Sequence, residues 1–130
     1  MSYSHSWDLT FSRGDAAISS TSEDVTGSAE ANIDETIGLN ATDFLINIAI
    51  DVSALKSIFI LGSKAMTIKT NDSADPDDTI TLAAGVPFRW TFNSPFTSPF
   101  ASAVDVTKIY VTGAGASGTL QIYVLQDATP

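Results

Sequence analysis

The sequence predicts an all-β protein, a jelly-roll-like antiparallel β-sandwich of about eight strands. Apolar and polar residues alternate through most of the chain, a pattern that places one face of each strand in a core and the other in water. Turn signals recur roughly every 8–12 residues, as they do in β-sandwiches, and no long segment has the helical period of about 3.6 residues. At 130 residues the chain fits one domain, 1–130, with a core of its own.

The stretch 65–92 supplies three short strands. Their alternating apolar residues are Met66, Ile68, Ile80, Leu82, Phe88, Trp90 and Phe92. Gly85 and Pro87 mark the turn between the last two strands, because glycine permits a positive φ and proline presets φ. Three aromatic side chains share one face of the last strand, so we expect that face at the centre of the core, with Trp90 buried.

The N-terminal part of the chain, residues 1–40, has weaker strand signals than the stretch 65–92. A first strand is predicted by the alternating residues Trp7, Leu9 and Phe11. The triplet Arg13-Gly14-Asp15 predicts a tight turn, which is favoured over the integrin-binding role that this triplet has in secreted proteins, and a weaker strand follows at 16–20. In 25–37 the apolar residues are mostly spaced by two, which indicates a long edge strand or an extended arm. Residues 1–40 are therefore expected to include such an arm or edge strand.

Four further strands are predicted, and two of them follow an Asp-Val pair that marks a corner of the chain. They are predicted at 44–50, at 57–62, after the Asp-Val pair that opens 105–113, and at 119–125. The run 57–62 is apolar throughout most of its length and predicts a strand buried on both faces. Asp51 is expected to cap one helical turn before the second of these strands. Asp105 again places an Asp-Val pair just before a strand. Two like corners that feed two strands indicate the crossing points of a two-sheet sandwich.

The segment 93–102 is predicted to be a loop, because each of its two prolines follows a serine and favours extended geometry. Phe96 and Phe100 each follow one of these prolines. One interpretation is that both rings fold back as a lid on the core. The other is that both are exposed anchors for a partner protein, since aromatic residues on a rigid loop make strong interface contacts.

The charge of the chain bears on its partners. Fifteen acidic residues stand against six lysines and arginines, giving a formal net charge of −9. Such a surface repels phosphate, and the basic residues are scattered singly, so nucleic-acid binding is not expected.

Cysteine usage and targeting signals bear on location. The sequence has no cysteine, which excludes disulfides, thiolate metal sites and cysteine nucleophiles. The polar N-terminal segment lacks the features of a signal peptide. The longest apolar run, at 44–52, is interrupted by polar residues and too short to span a bilayer. We therefore expect a protein made in a cytoplasm that does not enter a membrane.

A glycine-rich motif near the C-terminus resembles those that bind dinucleotides. Gly113-Ala-Gly-Ala-Ser-Gly118 matches the dinucleotide fingerprint and follows a predicted strand. That fingerprint needs a helix N-terminus directly after it, so that backbone N–H groups meet the pyrophosphate. Because a strand follows here, the motif is interpreted as a flexible hairpin loop.

Two other features bear on metal binding and catalysis: an acidic loop and a single histidine. The carboxylates of Asp72, Asp75, Asp77 and Asp78 form a weak calcium candidate, but the segment lacks the glycine turn and terminal glutamate of an EF-hand, so a solvated loop is favoured. His5 is the only histidine and lies in an N-terminal segment expected to be mobile. With no acid–base constellation, the chain is predicted not to be an enzyme and to need no cofactor, although a carboxylate pair for glycoside hydrolysis stays open.

Four segments carry a family resemblance. They are Ser57-Ile-Phe-Ile-Leu, Met66-Thr-Ile-Lys-Thr-Asn, Asp77-Asp-Thr-Ile-Thr-Leu-Ala-Ala-Gly-Val-Pro and Asp105-Val-Thr-Lys-Ile-Tyr-Val-Thr. Together they resemble the capsid decoration or cement proteins of tailed bacteriophages, small virion structural proteins with jelly-roll folds. The resemblance covers about 57–127, in strand order and style.

This resemblance implies a non-enzymatic protein that binds the outside of a phage capsid and stabilises it. It implies the major capsid protein as partner, a dimer or trimer of the chain, and a location on the capsid exterior after synthesis in the host bacterial cytoplasm. An acidic surface suits the outside of a shell, away from packaged DNA. The residues expected to make protein contacts are Tyr3, Trp7, Phe96 and Phe100.

Two alternatives stay open. A carbohydrate-binding module of jelly-roll type would use Trp90, Tyr110 or Tyr123 as stacking platforms, and is favoured if these rings are exposed in a row. A tail-tip, adaptor or fibre component of the virion is the other alternative.

Overall fold

The computed structural model describes residues 2–38, 40–113 and 117–127, without the side chains of 16–20. Ten strands and one short 3₁₀ helix lie in these residues. The strands are β1 Tyr3–Arg13, β2 Ala16–Gly27, β3 Ala29–Ile37, β4 Phe44–Ile50, β5 Leu55–Gly62, β6 Met66–Thr70, β7 Thr79–Leu82, β8 Phe88–Thr91, β9 Val106–Gly113 and β10 Gly118–Gln126, with the 3₁₀ helix at Val52–Ala54 between β4 and β5.

Eight of the strands form two four-stranded sheets. The first has the order β3-β10-β5-β8 and the second the order β4-β9-β6-β7. Every neighbouring pair is antiparallel. From β3 onward the chain changes sheet at each connection except between β6 and β7, which pair as a hairpin. This is the double-sheet arrangement of a jelly roll, and it confirms the predicted all-β sandwich.

The core lies between the two sheets and is mainly aliphatic. From the first sheet, Ile58, Leu120 and Val124 are fully buried. From the second, Ile68 and Val111 face them in the same cluster. The residues in between point outward, because successive side chains of a strand lie on opposite faces. The alternation predicted for the strands that hold Ile68 and Leu120 is therefore confirmed.

The two Asp-Val corners meet in space. Asp51 caps the 3₁₀ helix by accepting a hydrogen bond from the backbone N–H of Ser53, as predicted. The next N–H, of Val52, donates to the Asp105 carboxylate at 2.9 Å. Gln126 joins them, since its side-chain oxygen accepts from the Asp51 N–H at 2.7 Å. The corners therefore lie where the chain passes between the sheets, which confirms that interpretation.

The aromatic strand is not at the centre of the core, contrary to the prediction. β8 is the edge strand of the first sheet and ends at Thr91. Phe88 and Trp90 pack against the core but are only half-buried, and Phe92, beyond the strand, is 50% exposed. Lys56 lies over the Phe92 ring at 4.7 Å. The reason is position: an edge strand has a neighbour on one side only, so aliphatic side chains of the inner strands fill the centre.

The N-terminal segment is a two-stranded hairpin of β1 and β2, separate from both sheets. It lies on the outer face of the first sheet. At its base, a Cβ on Gly27 would approach the Gln126 carbonyl oxygen to 2.8 Å, so only glycine permits this close approach to β10. β3 then follows as the edge strand of the first sheet, which confirms the edge-strand interpretation for the latter part of 25–37.

Residues 114–116 of the glycine-rich loop lie outside the described residues, but the strands on either side of the loop show that the predicted hairpin is wrong. The strands that flank it, β9 and β10, belong to different sheets and do not pair with each other.

Replacing Leu120 by alanine is expected to lower the free energy of unfolding by about 2–5 kcal/mol, because a fully buried side chain would leave a cavity between the sheets. Leu45→Ala is the matched control, since Leu45 is 48% exposed on β4, and its effect should stay within about 0.5 kcal/mol. Urea unfolding of both variants measures the difference. Equal midpoints would contradict the placement of the core.

Candidate functional site

The hairpin crosses the first sheet, and its contacts change strand by strand along its length. Near its base, Gly27 approaches β10. Further along, the side chains of His5 and Trp7 reach Ser57 on β5. Beyond them, Glu23 of β2 accepts hydrogen bonds from Thr91 on β8, at 3.0 Å, and from Asn93 after it, at 2.6 Å. The hairpin therefore runs from β10 over β5 to the edge strand β8.

The Ser57 hydroxyl is the polar centre of this contact. Ser57 is 0% exposed, although its side chain points to the outer face of the sheet, because the hairpin covers it. Trp7 Nε1 donates to its oxygen at 2.9 Å. His5 Nδ1 lies 2.8 Å from the same oxygen. When the ring carries its hydrogen on Nε2, Nδ1 accepts a hydrogen bond from the Ser57 hydroxyl. Glu30 lies 3.9 Å from that Nε2.

A serine, a histidine and a carboxylate in contact invite comparison with a catalytic triad. Burial lowers the pKa of His5 from its ordinary value, and the Glu30 carboxylate only partly opposes this, so the neutral ring is favoured. However, the Ser57 oxygen is shielded from solvent and already bonded to Trp7. A substrate carbonyl has no path to it. The arrangement holds the hairpin on the sheet and does not supply a nucleophile.

A cleft opens beside this contact, between the hairpin and the outer face of the first sheet. Its volume is about 590 Å³, within the roughly 300–1,000 Å³ of small-molecule sites. Trp7, Phe59 and Tyr123 line it in a row: the ring centroids of Trp7 and Phe59 lie 6.1 Å apart, and those of Phe59 and Tyr123 also 6.1 Å. We call this cavity the aromatic cleft.

Charged side chains border the aromatic cleft. Glu30 and Asp8 line it on the acidic side, and Arg89 of β8 is its only lining residue of positive charge other than a protonated His5. Arg89 is exposed, and within the described residues its guanidinium makes no hydrogen bond and no ion pair. Its five donors are therefore available to a ligand.

A second groove of about 300 Å³ lies further along the hairpin, where it passes the proline loop. Leu9, Trp90 and Phe96 line it together. Trp90 Nε1 donates to the Phe96 carbonyl at 2.8 Å, which fixes the loop against the edge strand. The Phe96 ring itself is left 78% exposed.

The hairpin face that packs on the first sheet extends past the edge of the sheet, where its apolar side chains are exposed to solvent. Trp7, Leu9 and Phe11 lie on the same face of β1, because they are spaced by two. Trp7 packs on Phe59, whereas Leu9 is 47% and Phe11 61% exposed. We call the exposed side chains of Leu9, Phe11 and Phe96 the apolar patch.

The four predicted contact residues have different outcomes. Phe100 is wrong as an exposed anchor: it is 4% exposed and belongs to the core, where it serves as the lid that the other interpretation foresaw. Phe96 is exposed and Tyr3 partly so, and their protein contacts stay predictions. Trp7 is half-buried, with its N–H and one side of its ring used inside the molecule. His5 is held in a strand, so its predicted mobility is wrong.

The acidic loop uses its carboxylates locally. Asp72 accepts hydrogen bonds from two backbone N–H groups of the loop, which lower the pKa of its carboxyl. Asp77 accepts from Asn71, and Asp78 accepts from the backbone and hydroxyl of Ser102. Across the described ranges, no group of three or more histidine or acidic side chains is placed to hold a metal ion. The carboxylates of Asp72, Asp75, Asp77 and Asp78 are therefore not arranged as a calcium site in this structure.

The carbohydrate hypothesis named three rings, which the fold separates. Trp90 packs on the edge of the core, Tyr110 lies on β9 in the second sheet, and Tyr123 lines the aromatic cleft. The row that does form joins Tyr123 with Phe59 and Trp7, a combination that the sequence does not predict. Two features of the sequence mark its surroundings without relating the three rings to one another: Ser57 is a polar residue in the apolar run 57–62, and Arg89 interrupts the aromatic strand.

Comparison of the chain with protein-family models, curated proteins and solved structures found no match. In the described part of the chain, no helix has the length and apolar character needed to cross a membrane.

Replacing Ser57 by alanine is expected to lower the free energy of unfolding by about 1–3 kcal/mol, because the Trp7 N–H would lose its acceptor under the hairpin. Backbone amides of β1 should lose protection from hydrogen exchange before those of β5. Ser22→Ala, an exposed serine on β2, is the control and should change little. Identical exchange in the two variants would contradict this role for Ser57.

The hairpin contact is expected to weaken in mild acid. The pKa of His5 in the folded protein lies below its ordinary 6.5, so the contribution of the neutral ring to stability is complete above that value. It is lost as the pH falls from about 6.5 through the folded-state pKa. Because His5 is the only histidine, its NMR titration reports this directly. A midpoint at or above 6.5 would contradict the burial described.

Proposed function

We propose that the chain is a non-enzymatic structural protein of a virion, which binds the outside of a bacteriophage capsid as a decoration protein and stabilises the shell. The observation that carries this proposal is the apolar patch on the hairpin and the proline loop. A soluble protein rarely exposes large apolar side chains together unless they meet a partner.

The hairpin has the shape that such a contact requires. β1 has 11 residues and is therefore about 36 Å long at roughly 3.3 Å per residue, and its residues Leu9 and Phe11 stay exposed. The hydrogen bonds from Thr91 and Asn93 to Glu23 fix its direction past the edge strand. Leu9 and Phe11 are thus presented on a braced element, so little conformational freedom is lost on binding.

The energies suit a protein that acts on a lattice. Full burial of a leucine or phenylalanine contributes about 1.5–3 kcal/mol, and the apolar patch holds three such side chains, each already partly covered. One copy would bind a shell weakly. Linkage of copies in a dimer or trimer would multiply the contacts, and such an oligomer belongs to this proposal.

The charge of the chain supports the outer side of the shell. A formal net charge of −9 disfavours a position next to packaged DNA, because the two would repel. The non-enzymatic part of the proposal is supported by the histidine: the sequence has one, and it is engaged in holding the hairpin to a solvent-shielded serine.

The test is binding to undecorated shells assembled from the major capsid protein of the phage that, under this proposal, encodes the chain. The chain is expected to sediment with the shells and to raise their melting temperature. Leu9→Ser combined with Phe11→Ser should weaken binding at least about tenfold, since the loss of two apolar contacts exceeds 1.4 kcal/mol.

Phe44→Ser is the matched control, because Phe44 is 44% exposed on β4 of the second sheet, away from the hairpin. It should bind shells like the unchanged chain. The proposal fails if the folded chain does not sediment with shells, or if the patch variant binds as well as the control.

A further inference from the structure

We propose that the aromatic cleft binds a neutral pyranose unit of a glycan. This inference goes beyond the proposed capsid role and depends on different residues. It starts from the three rings that line the cleft, because the apolar C–H face of a pyranose packs on aromatic side chains, as other ring-shaped ligands do.

The rings form a continuous apolar strip from the hairpin to the middle of the sheet. Phe59 and Tyr123 are direct partners in the pairing of β5 with β10, and the planes of their rings differ by 25°. Trp7 extends the strip from above, tilted by 49° to Phe59. Its indole is held in place by the Ser57 hydroxyl, so the strip exists before a ligand arrives.

The polar groups at the border complement sugar hydroxyls. Arg89 presents donors that no described residue uses. Among the described residues, the Glu30 carboxylate accepts a hydrogen bond from the Asn32 amide at 3.1 Å and lies 3.9 Å from His5 Nε2, which leaves it further acceptor capacity. A planar guanidinium and a carboxylate each bind two neighbouring hydroxyl groups, which orients a ring above the aromatic strip. A purely apolar ligand would use neither the Arg89 donors nor the remaining acceptor capacity of Glu30.

Charge distinguishes among ring-shaped ligands. Glu30 and Asp8 lie on the same cleft as Arg89, so the local balance is acidic, as it is for the whole chain. A nucleotide phosphate, a uronic acid or a sialic acid would meet two carboxylates for one guanidinium. A neutral hexose or N-acetylhexosamine avoids this repulsion and still satisfies the donors and acceptors.

The experiment uses the full chain on an array of neutral oligosaccharides of glucose, mannose, galactose and N-acetylglucosamine, with sialylated and uronic-acid oligosaccharides beside them. Binding to one or more neutral oligosaccharides is expected, and the affinity for the strongest is then measured by calorimetry. Tyr123→Ala and Arg89→Ala should each weaken that affinity about tenfold or more.

Two control variants match these changes. Tyr110→Ala removes the same side chain from the second sheet, and Arg13→Ala removes the same charge at the end of β1. Both should stay within about twofold of the unchanged chain. Arg89 is exposed, so its variant is expected to fold even if the loss of Tyr123 disturbs the sheet; thermal unfolding of each variant verifies this.

The proposal is overturned if the folded chain binds no neutral oligosaccharide, if it prefers the charged ones, or if the cleft variants bind like their controls. Its failure is separate from that of the capsid proposal, since Leu9→Ser with Phe11→Ser leaves the three rings and Arg89 in place.

Discussion

The buried hydroxyl of Ser57 is the contact on which the candidate functional surface of this protein depends. It lies on the outer face of a sheet, where a small polar side chain would ordinarily be hydrated, and two residues of the hairpin bond to it instead. Without that contact the hairpin would lose the hydrogen bonds at its centre, between its close approach to β10 at the base and the Glu23 hydrogen bonds beyond. Both the aromatic cleft beneath the hairpin and the apolar patch beyond it follow from its position.

Much of the sandwich could be predicted, because alternating residues reveal which face of a strand is buried. Ile68, Leu82 and Leu120 lie where that alternation placed them. The alternation of side chains does not reveal whether a strand is central or at the edge of a sheet, however. The aromatic face of β8 therefore predicts a place at the centre of the core, although the strand lies at an edge. The strand order depends on contacts between distant segments, which local pattern does not encode.

The candidate site was predictable only in part, for the same physical reason. Phe96 follows a proline in a polar loop, and its exposure agrees with one of the two interpretations of that loop; its neighbour Phe100 has the same local context and is buried. The cleft joins Trp7 to Phe59 and Tyr123, residues from three separate strands. No local signal relates them, because a hairpin that crosses a sheet leaves no repeating pattern in either partner.

The path of the hairpin also sets an order of events during synthesis. Its two strands are adjacent in sequence and joined by a short turn, so they are able to pair early and locally. Their landing surface is built from β5, β8 and β10, and β10 follows much later in the chain. Until that strand has entered the sheet, the surface beneath the hairpin is incomplete. The hairpin then exposes apolar side chains of the nascent chain to a chaperone or to a neighbouring copy.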